Sequence, residues 1–233
     1  MADVIDILNA TTSISHNYYP PTIQLPHYVA NDGSVLSLIA RFGALWATLV
    51  AGAFATIYYV RPRASREDKI AFVWMCFTGF IHFFFEAYFV VNHKTLAGSR
   101  ELFGQLWKEY SLSDSRYLTS DAFVVCMEAI TAFCWGPLAF TIAYCIATQH
   151  PARHPLQLIV SLGQIYGDVL YYGTSLFDIS YCRPEKYYFW FYYFFFNFIW
   201  VVVPFYWMRQ SFVEIVGAFR KVGDMSSVPT KKS

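Results

Sequence analysis

Long apolar segments separated by short polar stretches dominate the pattern of the chain. Five segments are each about 20 residues or longer and mostly hydrophobic, and they lie at about 35–60, 71–92, 122–148, 156–176 and 187–208. A membrane-spanning helix needs roughly 20 apolar residues, whereas a barrel strand needs about ten. Inside a bilayer, a helix satisfies its backbone hydrogen bonds within one segment. The pattern therefore predicts an all-α polytopic membrane protein with five transmembrane helices.

The polar stretches divide the chain further. A polar lead covers 1–34 and a first transmembrane helix covers 35–60. A four-helix membrane domain follows at 61–210, and a tail at 211–233. The longest connection, 93–120, contains SRELFGQLWKEY, in which Leu102, Leu106 and Tyr110 recur at helical spacing. Since loops of this length usually carry structure or function, we expect a short amphipathic helix that lies on the membrane face between the second and third spans.

The distribution of Lys and Arg predicts the orientation. Five spans put the termini on opposite sides, and ten basic residues fall on the C-terminal side against six on the other. The positive-inside rule then makes the C-terminus cytoplasmic and the N-terminus lumenal. The first 34 residues hold no Lys or Arg, so we expect the first helix to act as an uncleaved insertion signal. Asn9, in the triplet NAT, is then a candidate glycosylation site on the lumenal side.

The composition agrees with a membrane protein. Hydrophobic residues make up 56% of the chain and charged residues 14%, against about 25% charged in soluble domains. The formal net charge of +1 gives no electrostatic reason to expect a nucleic-acid partner. Four of the five cysteines lie within predicted spans and the fifth, Cys182, lies in a loop, which predicts no disulfide framework.

Polar and titratable residues interrupt four of the apolar segments. Four pairs, each three or four residues apart and so on one helix face, are His82 with Glu86, Glu128 with Thr131, Gln164 with Asp168, and Asn197 with Trp200. An ionisable group inside a bilayer is energetically expensive. One polar residue often serves as a hydrogen bond between helices, and for Gln164 and Asp168 this structural role weighs as much as a functional one. His82, Glu86 and Glu128 together favour a shared site.

Several kinds of chemistry are open to such a group. A metal site needs more ligands than His82 and Glu86 supply, because the spans hold no second histidine. Nucleophilic catalysis is disfavoured, because no Ser or Cys lies in a recognisable nucleophile elbow. Proton transport is disfavoured, because the dense aromatic residues would make a poor water path. Aromatic faces attract cations. The set therefore favours acid–base chemistry on an apolar substrate that passes through a cationic intermediate.

Five blocks of the sequence resemble the emopamil-binding protein family, the sterol Δ8–Δ7 isomerases of the EXPERA superfamily. They cover about 70–215 in matching order and spacing, and they read FTGFIHFFFEAYF, LWKEYSLSDSRY, VVCMEAITAFCWGP, YGDVLYY and YFWFYYFFFNFIW. The resemblance implies that the family's functional residues correspond to His82, Glu86, Glu128, Thr131, Asn197 and Trp200. The N-terminal lead has no obvious match.

The resemblance also implies an activity and a location. The family's reaction moves a ring double bond from C8–C9 to C7–C8 without a cofactor, in the endoplasmic reticulum membrane. We expect a sterol substrate from the bilayer and inhibition by cationic amphiphilic amines, and a homodimer is left open.

Roles for the six residues follow as a hypothesis from the resemblance. Glu86, paired with His82, delivers a proton to C9, and Glu128, held by Thr131, accepts one from C7 or orients the groups that do. Asn197 and Trp200, the last two of the six residues, stabilise the carbocation. The two acids are interchangeable at this stage.

Three other functions remain open. The first is a non-catalytic protein of the same superfamily that binds sterols or amines, although such a protein commonly lacks an acid or an amide that this chain has. The second is an isomerase that acts on another polycyclic terpenoid. A transporter is disfavoured, because the sequence shows neither repeats nor broken helices.

Overall fold

The computed structural model describes residues 16–226, and these residues fold into six helices joined by short connections. The helices are α1 (Val35–Val60), α2 (Arg66–Asn92), α3 (Leu102–Tyr110), α4 (Ala122–Thr148), α5 (Arg153–Phe177) and α6 (Tyr188–Ser226). Within 16–226 the structure has no β-sheet and a single isolated bridge between Asp114 and Cys182. The prediction of an all-α protein is confirmed, and Asn9 lies outside the described residues.

Four of these helices, α1, α2, α4 and α6, are long and apolar enough to cross a membrane. The chain is therefore a multi-pass membrane protein. The fourth predicted span coincides with α5, which is long enough but carries buried polar residues, among them Gln157, Ser161 and Gln164. By length and composition, four of the five predicted spans are thus shown among residues 16–226, and the fifth is not. The last helix also runs past the predicted boundary at 208, as far as Ser226.

Side-chain caps fix where the helices begin. The hydroxyls of Ser34 and Ser65 accept hydrogen bonds from the first turns of α1 and α2, and the carboxylate of Asp121 does the same for α4. Such caps satisfy backbone N–H groups that have no partner within the helix. Gln149 ends α4 in a left-handed conformation with φ 58°, and α5 follows after a short turn.

Two hydrophobic cores hold the bundle of α2, α4, α5 and α6 together. One core includes Met75, Ile142 and Trp207. The other includes Phe89 and Tyr193. On each of these helices, the paired polar residues singled out in the sequence fall between the positions that enter the two cores. Packing at both ends of the bundle therefore leaves the polar side chains together in the middle.

Three helices contain π-helical turns, at Ile81–Glu86 in α2, Thr131–Trp135 in α4 and Tyr188–Phe195 in α6. Such turns are rare and are frequent at functional sites. The turns of α2 and α4 pack closely at Gly136, where an added Cβ would lie 2.9 Å from the backbone nitrogen of Phe83. Glycine is required there because no side chain fits between the two backbones.

The connection 93–120 contains the predicted short helix, α3, but this helix is buried rather than exposed on the surface. Gln105 and Lys108 are 7% and 0% exposed. The Lys108 ammonium donates a 2.6 Å hydrogen bond to the Val29 carbonyl, and Gln105 accepts from the Asp32 and Gly33 backbone nitrogens. The polar lead thus covers α3, and together they close one end of the bundle.

A buried ion pair anchors the same connection to α5. The Arg116 guanidinium donates to both carboxylate oxygens of Asp114, at 2.7–3.1 Å, and also contacts Thr174 and Ser175. Tyr171 donates a 2.8 Å bond to Asp114 from α5. Burial lowers the pKa of Arg116, but the hydrogen bonds and the charge of Asp114 raise it by more. The pKa therefore lies above its usual range, and the side chain stays charged.

Candidate active site

One cavity in the middle of the bundle brings together all six residues predicted from the sequence. Its volume is about 70 Å³. Its polar walls come from α2, α4, α5, α6 and the 93–120 connection, and they comprise His82, Glu86, Tyr117, Glu128, Thr131, Gln164, Asp168, Tyr171, Asn197 and Trp200. The structure thus places the paired polar residues of four helices around one space.

His82 is the most fully connected side chain of the cavity. It is 3% exposed. Its Nδ1 lies 2.7 Å from Glu86 Oε2 within the π turn of α2, and its Nε2 lies 2.9 Å from Gln164 Nε2 on α5. The Trp200 ring packs beside the imidazole, with 4.9 Å between ring centroids. The imidazole is thus held at both nitrogens and on one face.

Glu128 takes its hydrogen bond from outside the helices. The Tyr117 hydroxyl donates to Glu128 Oε1 at 2.8 Å. Burial raises the pKa of Tyr117 well above its usual range, and the nearby Glu128 carboxyl raises it further, so the hydroxyl keeps its proton and acts as a donor. The Thr131 hydroxyl instead donates to the Met127 carbonyl at 2.9 Å. The residue that holds Glu128 is therefore Tyr117 and not Thr131.

Asn197 is also held by a tyrosine of the connection. Its Nδ2 donates to the Tyr110 hydroxyl at 2.9 Å and to the Tyr193 carbonyl. Asn197 and Trp200 are both half-buried, and both line the cavity. Asn197 Oδ1 also lies 3.2 Å from the Tyr110 hydroxyl, so both ends of the amide have partners within the protein.

Gln164 and Asp168, which the sequence left between a structural and a functional role, both line the cavity. Asp168 Oδ2 and Gln164 Oε1 are buried and have no hydrogen-bond partner among residues 16–226. Across the same residues, no group of three or more His, Cys, Asp or Glu side chains could hold a metal ion. The cavity is therefore a set of proton donors and acceptors with apolar surroundings.

Sequence reasoning missed Tyr110 and Tyr117 as members of the site. Both lie in the block LWKEYSLSDSRY, which carried part of the family resemblance. Their position in a connection rather than in a span gave no reason to aim them at the bundle interior. Tyr110 and Tyr117 reach Asn197 and Glu128 because the connection folds back towards the bundle. The pattern of apolar residues does not predict that fold.

The fold and the cavity define a class: a multi-pass helical membrane protein with a buried acid–base site. Comparison with known proteins narrows the class. The model of the EXPERA family (EXPanded EBP superfamily) matches residues 102–211. The 3-beta-hydroxysteroid-Delta(8),Delta(7)-isomerase of Cavia porcellus is 37% identical over 219 residues, which cover 90% of this chain and 93% of that protein. The chain belongs to the EXPERA family of emopamil-binding-protein-like proteins.

Other relatives widen the range of named activities. The probable 3-beta-hydroxysteroid-Delta(8),Delta(7)-isomerase of Arabidopsis thaliana is 31% identical, with 82% of this chain and 85% of that protein covered. Protoglabretal synthase of Citrus sinensis is 32% identical, with 62% of this chain and 72% of that protein covered. The family relationship therefore supports a sterol-isomerase-like enzyme without fixing its substrate.

Proposed function

We propose that the protein is a sterol Δ8–Δ7 isomerase. The observation that carries the proposal is the convergence of His82, Glu86, Glu128 and Asn197 on one buried cavity beside the Trp200 indole. This set supplies acids and bases for proton transfer, and an aromatic face and an amide dipole for a developing positive charge. The relatives named as Delta(8),Delta(7)-isomerases, at 37% identity in Cavia porcellus, support the same activity.

The reaction transfers two protons and leaves the substrate's formula unchanged. The π electrons of the C8–C9 double bond take a proton from a carboxylic acid, which forms a C9–H bond and leaves a carbocation at C8. A carboxylate then removes a proton from C7, and the electrons of that C–H bond form the C7–C8 double bond. The enzyme ends with its proton on the second carboxyl group, so one internal transfer restores the starting state.

We assign the first acid to Glu86 and the second to Glu128. Glu86 is hydrogen-bonded to His82 at 2.7 Å, so the imidazole N–H can stabilise the carboxylate that remains after Glu86 gives its proton to C9. Glu128 accepts a hydrogen bond from Tyr117 at 2.8 Å, which holds this carboxyl group in position on the cavity wall. The two carboxyl groups line the same cavity. A proton therefore has a short return route from Glu128 to Glu86 after each turnover.

Asn197 and Trp200 are assigned to the cation. Their role needs no proton transfer, because an indole face and an amide oxygen both attract positive charge. Thr131 lines the same cavity, and its hydroxyl is bonded to the Met127 carbonyl of its own helix. The same groups would bind a cationic amphiphilic amine, which resembles the carbocation in charge and so competes with the sterol.

The membrane arrangement follows from the polar face of α5. We propose that α5 is the fifth span and that packing against α4 and α6 shields its buried polar residues, among them Gln157, Ser161 and Gln164, from lipid. We propose further that 61–210 is the EXPERA-type domain, that the protein lies in the endoplasmic reticulum, and that its C-terminus is cytoplasmic. A sterol would enter from the bilayer, because α3 and the lead cover one end of the bundle. The bound sterol must also widen the cavity, whose volume is about 70 Å³.

A second candidate is an isomerase of another polycyclic terpenoid. It is favoured by the relatives named protoglabretal synthase and isomeliandiol synthase, at 32% and 33% identity. The chemistry would be the same, since it needs only the acid–base pair and the cation-stabilising face. A protein that only binds sterols or amines would keep the cavity but show no turnover.

Incubation of the purified protein with a Δ8-sterol in heavy water tests the proposal. We expect a Δ7-sterol that carries one deuterium at C9, detected by mass spectrometry and NMR. A Δ7 product without deuterium at C9 would contradict the mechanism. Tight binding of the sterol without product would favour the binding protein, and turnover of a tetracyclic triterpene alone would favour the second candidate.

A further inference from the structure

The side chain of Gln164 is hydrogen-bonded to Nε2 of His82, the ring nitrogen that does not contact Glu86. Gln164 projects from α5, is 6% exposed, and places its Nε2 2.9 Å from His82 Nε2. The opposite ring nitrogen lies 2.7 Å from Glu86. Two helices therefore hold one buried imidazole between them, and each ring nitrogen has a single side-chain partner.

The identity of the contacting atoms fixes where the proton of a neutral imidazole lies. An amide nitrogen donates and does not accept, so His82 Nε2 must be the acceptor. The ring proton of neutral His82 then lies on Nδ1, in the hydrogen bond to Glu86. Side-chain partners at the second nitrogen commonly fix the tautomer and direction of a functional histidine.

We propose that Gln164 is a positioning residue, which orients the His82 ring and keeps its proton on the nitrogen that faces Glu86. The inference rests on the proposed function, because it matters for catalysis only if the Glu86–His82 pair transfers the proton. Without Gln164, the imidazole is free to turn or to change tautomer, and the proton is then directed away from Glu86.

The other groups of the cavity do not replace this contact. The titratable residues that line the cavity with His82 are Glu86 on α2, Glu128 on α4, Tyr117 from the connection, and Asp168 and Tyr171 on α5. Tyr117 donates to Glu128. The Trp200 ring contacts the face of His82 and offers no bond in the plane of the ring nitrogens.

The competing explanation is that Gln164 only joins α5 to α2, as buried amides in membrane helices often do. The same helix offers a matched control. Gln157, seven residues earlier, is 0% exposed and donates to the Trp207 carbonyl and to Gln210 on α6. It lies outside the cavity wall, so its role is packing between α5 and α6.

The first experiment compares Gln164→Met with Gln157→Met, since methionine keeps the length of the side chain and removes the amide. For Gln164→Met we expect kcat to fall about 10- to 100-fold, with KM within about twofold and an unchanged melting temperature, as for other groups that orient a functional histidine. For Gln157→Met we expect a lower melting temperature and a kcat near that of the wild type. A wild-type kcat in Gln164→Met, or parallel losses of kcat and melting temperature in both variants, would overturn the inference.

The second experiment does not depend on turnover. Protein labelled with ¹⁵N-histidine gives separate signals for protonated and unprotonated ring nitrogens, and a His82→Phe variant identifies those of His82. We expect Nδ1 protonated and Nε2 unprotonated in the wild type, and a mixture of tautomers in Gln164→Met. A protonated Nε2 in the wild type, or identical signals in the two proteins, would refute the positioning role. If no sterol is turned over, the proposed function fails while these spectra still decide the role of Gln164.

Discussion

The Tyr117 hydroxyl donates a 2.8 Å hydrogen bond to Glu128 Oε1, and this contact joins a connecting segment to the central cavity. Tyr117 is 3% exposed and Glu128 5%. A buried carboxyl group without a partner is destabilised relative to one that is hydrogen-bonded. The connection is thus part of the site, and its folding determines how Glu128 is oriented.

Replacement of Tyr117 by Phe removes that donor and leaves the ring in place. We expect kcat to fall about tenfold or more, because a hydrogen bond to a charged group is worth about 1.5–3 kcal/mol. Turnover of a Δ8-sterol in membranes measures the effect. Tyr166→Phe is the control, since Tyr166 is 64% exposed on α5. Equal rates in the two variants would show that Tyr117 is not needed to hold Glu128.

Removal of either member of the proposed proton-donating pair should abolish turnover. For His82→Ala and Glu86→Ala we expect losses of about 10²- to 10⁴-fold, the usual range for general acid–base groups. Protein levels should stay near normal, and sterol chromatography measures the product. Phe84→Ala, in the same π turn but 48% exposed, should retain activity. Product formed at the wild-type rate by either site variant would refute the pair's role.

Loss of Arg116 should destabilise the whole connection. Arg116→Ala leaves the Asp114 carboxylate buried at 0% exposure without its ion-pair partner. Breaking a buried pair in this way costs about 3–5 kcal/mol, so we expect a clearly lower melting temperature in detergent. Arg100→Ala breaks a pair with Asp32 that is mostly exposed, and such pairs contribute about 1 kcal/mol or less. Similar melting temperatures for the two variants would contradict the anchoring role of Arg116.

A methyl group at Gly136 should separate the π turns that carry the site. The added Cβ would lie 2.9 Å from the Phe83 backbone nitrogen, and overpacking of this kind costs about 1–3 kcal/mol. We expect Gly136→Ala to lower both the melting temperature and the turnover. At Gly173 an added Cβ meets nothing within 4 Å, so Gly173→Ala should be neutral or slightly stabilising. An active, stable Gly136→Ala variant would show that the close approach is dispensable.

The indole of Trp200 should contribute to the binding of cationic amines. We expect Trp200→Leu to raise the inhibition constant of a tertiary-amine amphiphile by about tenfold, because a desolvated cation–π contact is worth about 0.5–2 kcal/mol. Competition against a labelled amine measures this inhibition constant, and it does so even if the variant has lost its turnover. Trp190→Leu, at a position 57% exposed on the outer surface of α6, is the control. Unchanged competition in Trp200→Leu would place the cation elsewhere in the cavity.

The sequence by itself determined the class of the protein and most of its site. Apolar segments of about 20 residues leave few folds other than a helical bundle in a membrane. The expense of burying charge made His82, Glu86 and Glu128 conspicuous, and spacing placed each pair on one helix face. Those arguments use only neighbours along the chain, and the structure places the residues that they singled out around one cavity.

Tertiary structure decided what depends on contacts between distant segments. Tyr117 and Tyr110 enter the site because the 93–120 connection folds inwards, and Gln164 meets His82 across 82 residues of chain. The same is true of the burial of α3 under the lead and of the hydroxyl of Thr131, which bonds its own helix instead of Glu128. Hydrophobic periodicity records which face of a segment is buried but not what that face meets, so these partners follow only from the packed structure.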